Sequence, residues 1–527
     1  MNLILKELEK SSKYNDFIKN VENKKSPIAI SGLTGVAEAS IIAKCLEQTK
    51  RPVLIITYNE IQAQALVNDL KFFTEDVAYL PKKEIITYDY VAESKNLPYE
   101  RIEILNKIYK KQKLIIVTSV ETIKQKIISK DILYKNVLKF KVGDRCDLEV
   151  LKQKLVDLGY QRFDLIDGRG EFSVRGGIID ISTTDNTGIR IELWGDEIDS
   201  IRHFNIISQR SIDNIEKIEI FPAHEYILET SIENVIENIS NNVYPENISE
   251  KVESDLEKIR NGEYISKIDR YFNSFYVKQE TVLEYIDDKY LVFVDEFNKV
   301  IQRSENIEQD NENTIKALME KERIIPDSLK NYVATENLEP NIEKYQTIYL
   351  DKLDDRIKNG IERYDFKYKE LNYFKSGIDL FINDINNFKK QERKVYIVVD
   401  TKEKADKMKK MLAEYDILSI YYEKLNKTII NQDANTVIIT LGKISKGFYS
   451  IDLNQVVMVA SDLVDGTRTI KRRKSETFKQ GEKVVFADLK IGDYVVHRRY
   501  GIGIYIGVNT ITADGTTRDY LKLKYSG

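Results

Sequence analysis

From residue 28 to about residue 129, short apolar runs alternate with longer segments whose apolar residues recur three and four apart. The short runs, at Ile28–Ser31, Val53–Thr57, Val77–Leu80 and residues 114–118, read as buried strands; residues 59–73 and 99–111 read as helices. Strand alternating with helix predicts a parallel sheet with helical crossovers. Between about residues 139 and 221 glycines and short β runs take over, as at 171–181 and 189–194, and predict a small α+β insertion. Helical periodicity resumes near Ile227, and an apolar run at 290–294 ends in Asp295-Glu296. A second α/β pattern occupies about 348–460, with strands expected at 395–399, 437–440 and 456–459 and a solvated basic helix face over 402–410.

After residue 465 the apolar pattern lapses over 468–483, the most basic stretch, which holds Lys471, Arg472, Arg473 and Lys474. It reads as a linker, either simply solvated or in contact with DNA phosphates. Beyond it the chain alternates with period two: Ile502, Ile504, Ile506 and Val508 share one strand face, and Asp514-Gly515 marks a hairpin. Four short β runs suit a small barrel that reads as cut short at Gly527.

Composition narrows the class. With 527 residues, 42% of them hydrophobic, the chain has room for several domains with ordinary cores. Its net charge of −4 argues against a wholly basic nucleic-acid coat. Cys45 and Cys146 lie far apart without C-x-x-C spacing, so neither a disulfide framework nor a metal site is expected, and a cytoplasmic setting fits. No apolar run approaches bilayer length, so no membrane partner is expected.

The first strand leads into Gly32-Leu33-Thr34-Gly35-Val36-Ala37-Glu38-Ala39-Ser40. A phosphate-binding loop in this strand–loop–helix setting has the form G-x-x-x-x-G-K-[ST], in which backbone N–H groups cradle the phosphates, Lys meets the β and γ groups and the hydroxyl holds Mg²⁺. Here Ala37 replaces the second glycine, Glu38 the lysine and Ala39 the hydroxyl residue. A carboxylate repels a triphosphate. The segment is therefore either a nucleotide site emptied of its ligand or an ordinary turn for which Gly32 and Gly35 suffice. Asp295-Glu296 after an apolar strand has the form of the Mg²⁺-holding element of such a fold, though acidic residues at strand ends are common.

Residues 159–181 read GYQRFDLIDGRGEFSVRGGIIDI, and the core R-G-E-F-x-V-R-G-x-I-I-D-I resembles the second domain of UvrB, which also occurs in the transcription-repair coupling factor family. Three features favour the coupling factors. Residues 488–527, with Gly-Asp-Tyr-Val-Val-His and Gly-Ile-Gly-Ile-Tyr-Ile-Gly, resemble that family's CarD-like RNA-polymerase-interacting domain; Phe221-Pro222-Ala223-His224-Glu225 resembles its exit from the second domain; and the phosphate loop is broken, where UvrB keeps it.

This resemblance implies the amino-terminal part of a coupling factor. The expected fold is multidomain α/β: a degenerate P-loop NTPase-like parallel sheet with an inserted α+β domain, a second small α/β domain and a Tudor/CarD-like β-barrel. The implied boundaries are 1–138 and 226–345 for the two halves of the UvrB-like domain, 139–225 for the insertion, 346–465 for the small α/β domain, 466–486 for the linker and 487–527 for the barrel. Arg162 and Arg175 match arginines that meet acidic residues of UvrA, while a further UvrB arginine is Ser173 here. Residues of the barrel, Thr510, Ile511 and Thr512, match the segment that adds a strand to the RNA polymerase β subunit. From the residues alone, the arginines could instead support the turns around Gly168 and Gly170, and Ile511 could pack inside the barrel; Phe172 reads as core and His497 as a packed strand residue. ATP, Mg²⁺ and duplex DNA would belong to motor domains of the full-length family protein, an ATP-dependent translocase; no catalytic residue and no cofactor is expected in this stretch. The competing reading is a UvrB-like, ATP-dependent damage sensor.

Overall fold

The computed structural model describes residues 2–83, 96–184, 186–225, 227, 231–241, 246–260, 268–276, 278–321, 323, 327–351, 361–371, 377–425, 435–460, 463, 494–497, 501–513 and 516–524. The strands foreseen at 28–31, 53–57 and 77–80 form as expected and join four others in a seven-stranded sheet. Its order is Glu362–Asp365, Ile28–Ser31, Gln346–Asp351, Leu291–Asp295, Val53–Thr57, Ile115–Ser119, Val77–Leu80, with every neighbouring pair parallel. Adjacent residues of one strand serve opposite cores: Val53 and Ile55 face one, Leu54 and Ile56 the other. Burial on both faces is why these strands are continuously apolar rather than alternating.

The sheet is assembled from distant pieces. After Ile115–Ser119 the chain leaves it and rejoins at Leu291. The excursion includes a second sheet of six strands, ordered Ser211–Ile215, Glu197–Asn205, Thr187–Trp194, Ile178–Ser182, Glu171–Arg175, Gln161–Arg162, antiparallel apart from the last pair. One of its faces packs Phe172, Ile179, Ile181, Ile189, Ile191 and Ile201 against Leu151 and Leu155 of the helix Leu148–Asp157, whose start is capped by the Asp147 carboxylate.

The boundary expected at 346 needs correction. Gln346–Asp351 and Glu362–Asp365 flank Ile28–Ser31 within the first sheet, so the next α/β layer begins after Asp365. That layer is a mixed sheet ordered Tyr368–Leu371, Gly447–Ser450, Gln455–Val459, Lys394–Val399, Val437–Leu441, Ser419–Tyr422. One face packs on the helices Ile378–Lys390 and Lys402–Glu414. The other shares a core with the first sheet through Tyr396, Val398, Ile438, Phe448 and Val457. The helix Val36–Thr49 lies in that shared core and is buried at every position from Val36 to Leu46.

By its contacts the chain divides into two units, residues 1–87 with 93–465, and 88–92 with 466–527. In the second unit Tyr494–His497, Gly501–Ala513 and Thr516–Lys524 form an antiparallel sheet with the long strand in the middle. Pairing of the last two strands runs up to Ala513 opposite Thr516; the turn foreseen there falls on Asp514 and Gly515, which lie outside the described residues, as do Lys471, Arg472, Arg473 and Lys474.

Candidate functional site

The glycine-rich loop at Gly32 is a closed structure. Gly32 takes φ +71° and Gly35 φ +50°, conformations that glycine adopts without steric cost. A Cβ on Gly32 would stand 1.8 Å from the Phe366 carbonyl oxygen. The Phe366 N–H donates to Ser31 O at 2.8 Å and the Tyr368 N–H to Gly32 O at 3.0 Å, so the strand leading out of the first sheet lies directly on the loop. Over Gly35 stands an ion pair, Glu370 with Lys446 at 2.7 Å. The Ala37 N–H donates to Thr34 O at 3.1 Å and the Glu38 N–H to Gly35 O at 3.3 Å. Two donors of the kind a phosphate would need are thus already bonded within the chain. Val36, Ala37 and Ala39 are fully buried in a cluster with Phe366, Tyr368 and Phe448, and Glu38 is only 5% exposed.

Asp295 lies in the same sheet but not beside the loop. The strand Gln346–Asp351 intervenes, a separation of roughly 10 Å at about 4.8 Å per strand. Asp295 is buried and accepts from Gln62 Nε2 at 3.0 Å; Glu296, in the left-handed region at φ +56°, pairs with Lys299 at 2.7 Å. On the intervening strand, burial pushes the Asp351 carboxyl up to about 6 against a hydrogen bond from the Phe297 N–H, and the Glu296 charge adds to the rise. Among the described residues no cluster of His, Cys, Asp or Glu has the arrangement of a metal site. Cys45 and Cys146 are buried and unbridged, and burial pushes the Cys45 thiol up to about 12. An open groove beside the helix Phe297–Glu320, lined by Phe297, Ile301, Glu305, Thr335, Glu336 and Glu339, contains no residue of the glycine loop.

The inserted sheet is different in kind. Arg175 ends the strand Glu171–Arg175 and is joined to Ile178 by the two-residue turn Gly176-Gly177. Gly176 has φ +61°, and a Cβ on Gly177 would stand 2.8 Å from the Leu193 carbonyl oxygen, so both glycines serve the hairpin. The Arg175 side chain is 49% exposed and donates from one Nη to Asp180 at 2.7 Å. Asp180 is buried and also takes a bidentate pair from Arg190, at 2.6 and 2.8 Å. Arg190 stacks on the Phe204 ring, 4.4 Å from its centre, and its guanidinium is held further above its ordinary range by the hydrogen bonds to Asp180. One carboxylate therefore serves two arginines, and Arg175 keeps its outer donors toward solvent.

Arg162 is exposed on the sheet's edge strand, opposite Phe172, which itself stands three residues before Arg175. Side chains alternate along a strand, so the register assigns the two arginines to opposite faces. Phe172 is core, as foreseen, and Ser173 is 1% exposed opposite Asp180. Sequence reasoning did not find Asp180 and Arg190, although Asp180 stands within the motif, between the core positions Ile179 and Ile181 and so on the other face of the strand.

The insertion is tied to the first sheet by a buried ion pair: Arg101 bonds both Glu225 carboxylate oxygens and the Pro81 carbonyl. Burial alone would raise Glu225, but the Arg101 charge and hydrogen bonds outweigh it and hold the carboxyl below its ordinary value. In the second unit, Thr510, Ile511 and Thr512 pair with Asp519, Arg518 and Thr517 on one side only. The strand Tyr494–His497 pairs with residues 501–504, so among the described residues the other edge of 505–513 has no partner strand.

These features define a multidomain α/β protein with an inserted, largely antiparallel sheet and a second, β-rich unit. A family described as the UvrB interaction domain matches residues 138–226, and one described as the CarD-like/TRCF RID domain matches 489–527. The transcription-repair-coupling factor of Staphylococcus aureus (strain bovine RF122 / ET3-1) is 30% identical over 522 residues, covering 94% of this chain and 43% of that protein. That of Staphylococcus epidermidis (strain ATCC 35984) is 28% identical over 516 residues, 95% of this chain and 44% of the relative; that of Bacillus subtilis (strain 168) is 26% identical over 540 residues, 99% and 45%. The chain is similar to these transcription-repair-coupling factors over nearly its whole length and spans a little under half of theirs. No helix among the described residues is long and apolar enough to cross a membrane.

Proposed function

We propose that this chain is the recruitment portion of a transcription-repair coupling factor: its β unit binds RNA polymerase stalled at a lesion, and its inserted sheet binds UvrA. The observation that carries this reading is the presence, in one chain, of a UvrB interaction domain and a CarD-like/TRCF RID domain. Arg175 supplies the chemistry for an acidic partner, because a half-exposed guanidinium anchored at one end offers a planar fork of charge-assisted donors. The edge of 505–513 that has no partner strand among the described residues, which includes Thr510, Ile511 and Thr512, supports docking by strand addition to the polymerase β subunit, with backbone bonds giving affinity and alternate side chains specificity. Nucleotide plays no part at Gly32–Ala39, where Glu38 stands in the lysine position and Phe366 and Tyr368 lie on the loop. The NTPase-like half thus acts as scaffold, and the damage-sensor reading is not favoured. ATP hydrolysis and movement on duplex DNA fall to further domains of the family's full-length members.

Pull-down of UvrA and of RNA polymerase by wild type and two variants tests the assignment. Arg175→Glu is expected to weaken UvrA binding at least a hundredfold and leave polymerase binding within twofold, since reversing a charge in an interface leaves the partner's carboxylate facing its own sign. Ile511→Arg is expected to do the reverse. If either variant loses both partners equally, the two-surface reading fails.

A further inference from the structure

Trp194 is the chain's only tryptophan, and it is 84% exposed. It ends the strand Thr187–Trp194 just before the turn at Gly195-Asp196, at the same end of the inserted sheet as the Gly176-Gly177 turn. The register places it relative to Arg175. Ile178 faces Arg175 on one side and Glu192 on the other, so these three form one row across the sheet. Trp194 is two residues beyond Glu192, and Leu193 between them packs toward the core. Alternation therefore puts Trp194 on the face that carries Arg175, Asp180 and Arg190. Its place on that face is built: the Leu193 N–H donates to Gly177 O at 2.8 Å, fastening the tryptophan strand to the arginine hairpin.

We infer that Trp194 is the apolar anchor of the surface whose charged anchor is Arg175, and that the pair docks one folded protein surface presenting carboxylates beside an apolar pocket. The inference rests on the proposed UvrA-binding role of this sheet and adds to it a contact residue outside the arginine motif. Three observations select this occupant. Arg175 and Arg190 share the single carboxylate of Asp180 and Glu192 is paired with Arg202, so Arg175, half-exposed, is the cation of this face left with donors for a partner's carboxylate. A wholly exposed indole costs the free protein apolar hydration, and Trp and Arg are the residues that dominate binding when they stand together at the centre of an interface. Both lie within 138–226, the span matched by the UvrB interaction domain. Ile207 and Ile212, also strongly exposed, lie beyond the strand Glu197–Asn205, while Leu165, about half exposed, follows the edge strand Gln161–Arg162.

The test uses the whole chain, with purified UvrA as probe. Trp194→Ala is expected to weaken UvrA binding about thirtyfold, Trp194→Phe less than fivefold, and neither to move the thermal midpoint, since the side chain is solvated. Incorporating 5-fluorotryptophan gives a single ¹⁹F resonance from this chain, unobscured by tryptophans of the partner; it should shift and broaden on adding UvrA and stay unmoved with RNA polymerase. UvrA binding by Trp194→Ala within twofold of wild type, or an unmoved resonance at saturating UvrA, overturns the inference and leaves the recruitment reading intact. Failure of the wild-type chain to bind UvrA overturns both.

Discussion

Two glycine turns carry opposite lessons. Gly32–Gly35 has most of the outline of a ligand loop, with strand before and helix after, yet the carbonyls of Ser31 and Gly32 at its start are bonded by Phe366 and Tyr368 and its helix is buried from Val36 to Leu46. Gly176-Gly177 has no ligand signature, yet it carries Arg175 to a half-exposed position on the same face as the solvated Trp194. A motif describes what a backbone can cradle; whether anything reaches it depends on which elements lie on top. The loop is covered because a second sheet uses the other side of its helix, so that helix is buried all round, its Glu38, Ser40 and Lys44 included. The hairpin is open because only one face of its sheet is needed for the core of the insertion.

The largest effect that separates the two turns comes from adding one methyl group to each. Gly32→Ala places a Cβ on a backbone carbonyl at a left-handed φ, and is expected to cost at least about 3 kcal/mol of unfolding free energy, measured by urea titration. Gly176→Ala meets nothing within 4 Å and carries only the left-handed penalty, about 1–2 kcal/mol. Equal costs would mean that the Gly32 loop is as open as the hairpin.

A smaller effect lies in pH. Asp351, at the covered end of the first sheet, has its carboxyl raised to about 6, above an unfolded value of about 3.9. The folded state therefore holds a proton that the unfolded state has lost, and this group's contribution to stability is full below about pH 4 and lost as pH rises to about 6. Asp351→Asn should remove that slope. Glu225, depressed by Arg101, acts with the other sign: its contribution is present above the unfolded glutamate value and lost as pH falls through the folded one. A stability profile between pH 3 and 7 of wild type and Asp351→Asn separates the two, and an unchanged profile in the variant would mean that Asp351 is solvated.

The smallest expected effect is none at all. Restoring the motif residues with Ala37→Gly, Glu38→Lys and Ala39→Thr should produce no ATP binding at millimolar nucleotide, because the loop stays under Phe366 and Tyr368. Saturable micromolar binding would show that only the side chains, and not the covering strand, had emptied the site.

Much of the architecture was legible in the chain. The strands at 28–31, 53–57 and 77–80 were read from their apolar runs, and the inserted domain from its glycine-rich motif. The ownership of Gln346–Asp351 was not, because doubly buried parallel strands all read as one apolar run and nothing local says which sheet they join. The cover over Gly32 was hidden for a related reason: Phe366 and Tyr368 stand more than three hundred residues away, and only pairing brings them there. The face shared by Arg175 and Trp194 depends on register across three strands, whereas Asp514-Gly515 announced its hairpin through two adjacent residues.

The order of the first sheet also sets a timetable. Ile28–Ser31 has as its neighbours Gln346–Asp351 and Glu362–Asp365, both made late. At a ribosomal rate of roughly 5–20 residues per second, the earliest strand waits on the order of 15–60 s for its first partner to leave the exit tunnel. Throughout that interval an apolar edge is bare on the nascent chain. Slow synthesis, a delayed chaperone or an early stop would therefore act first on Ile28–Ser31, the strand that precedes the covered loop.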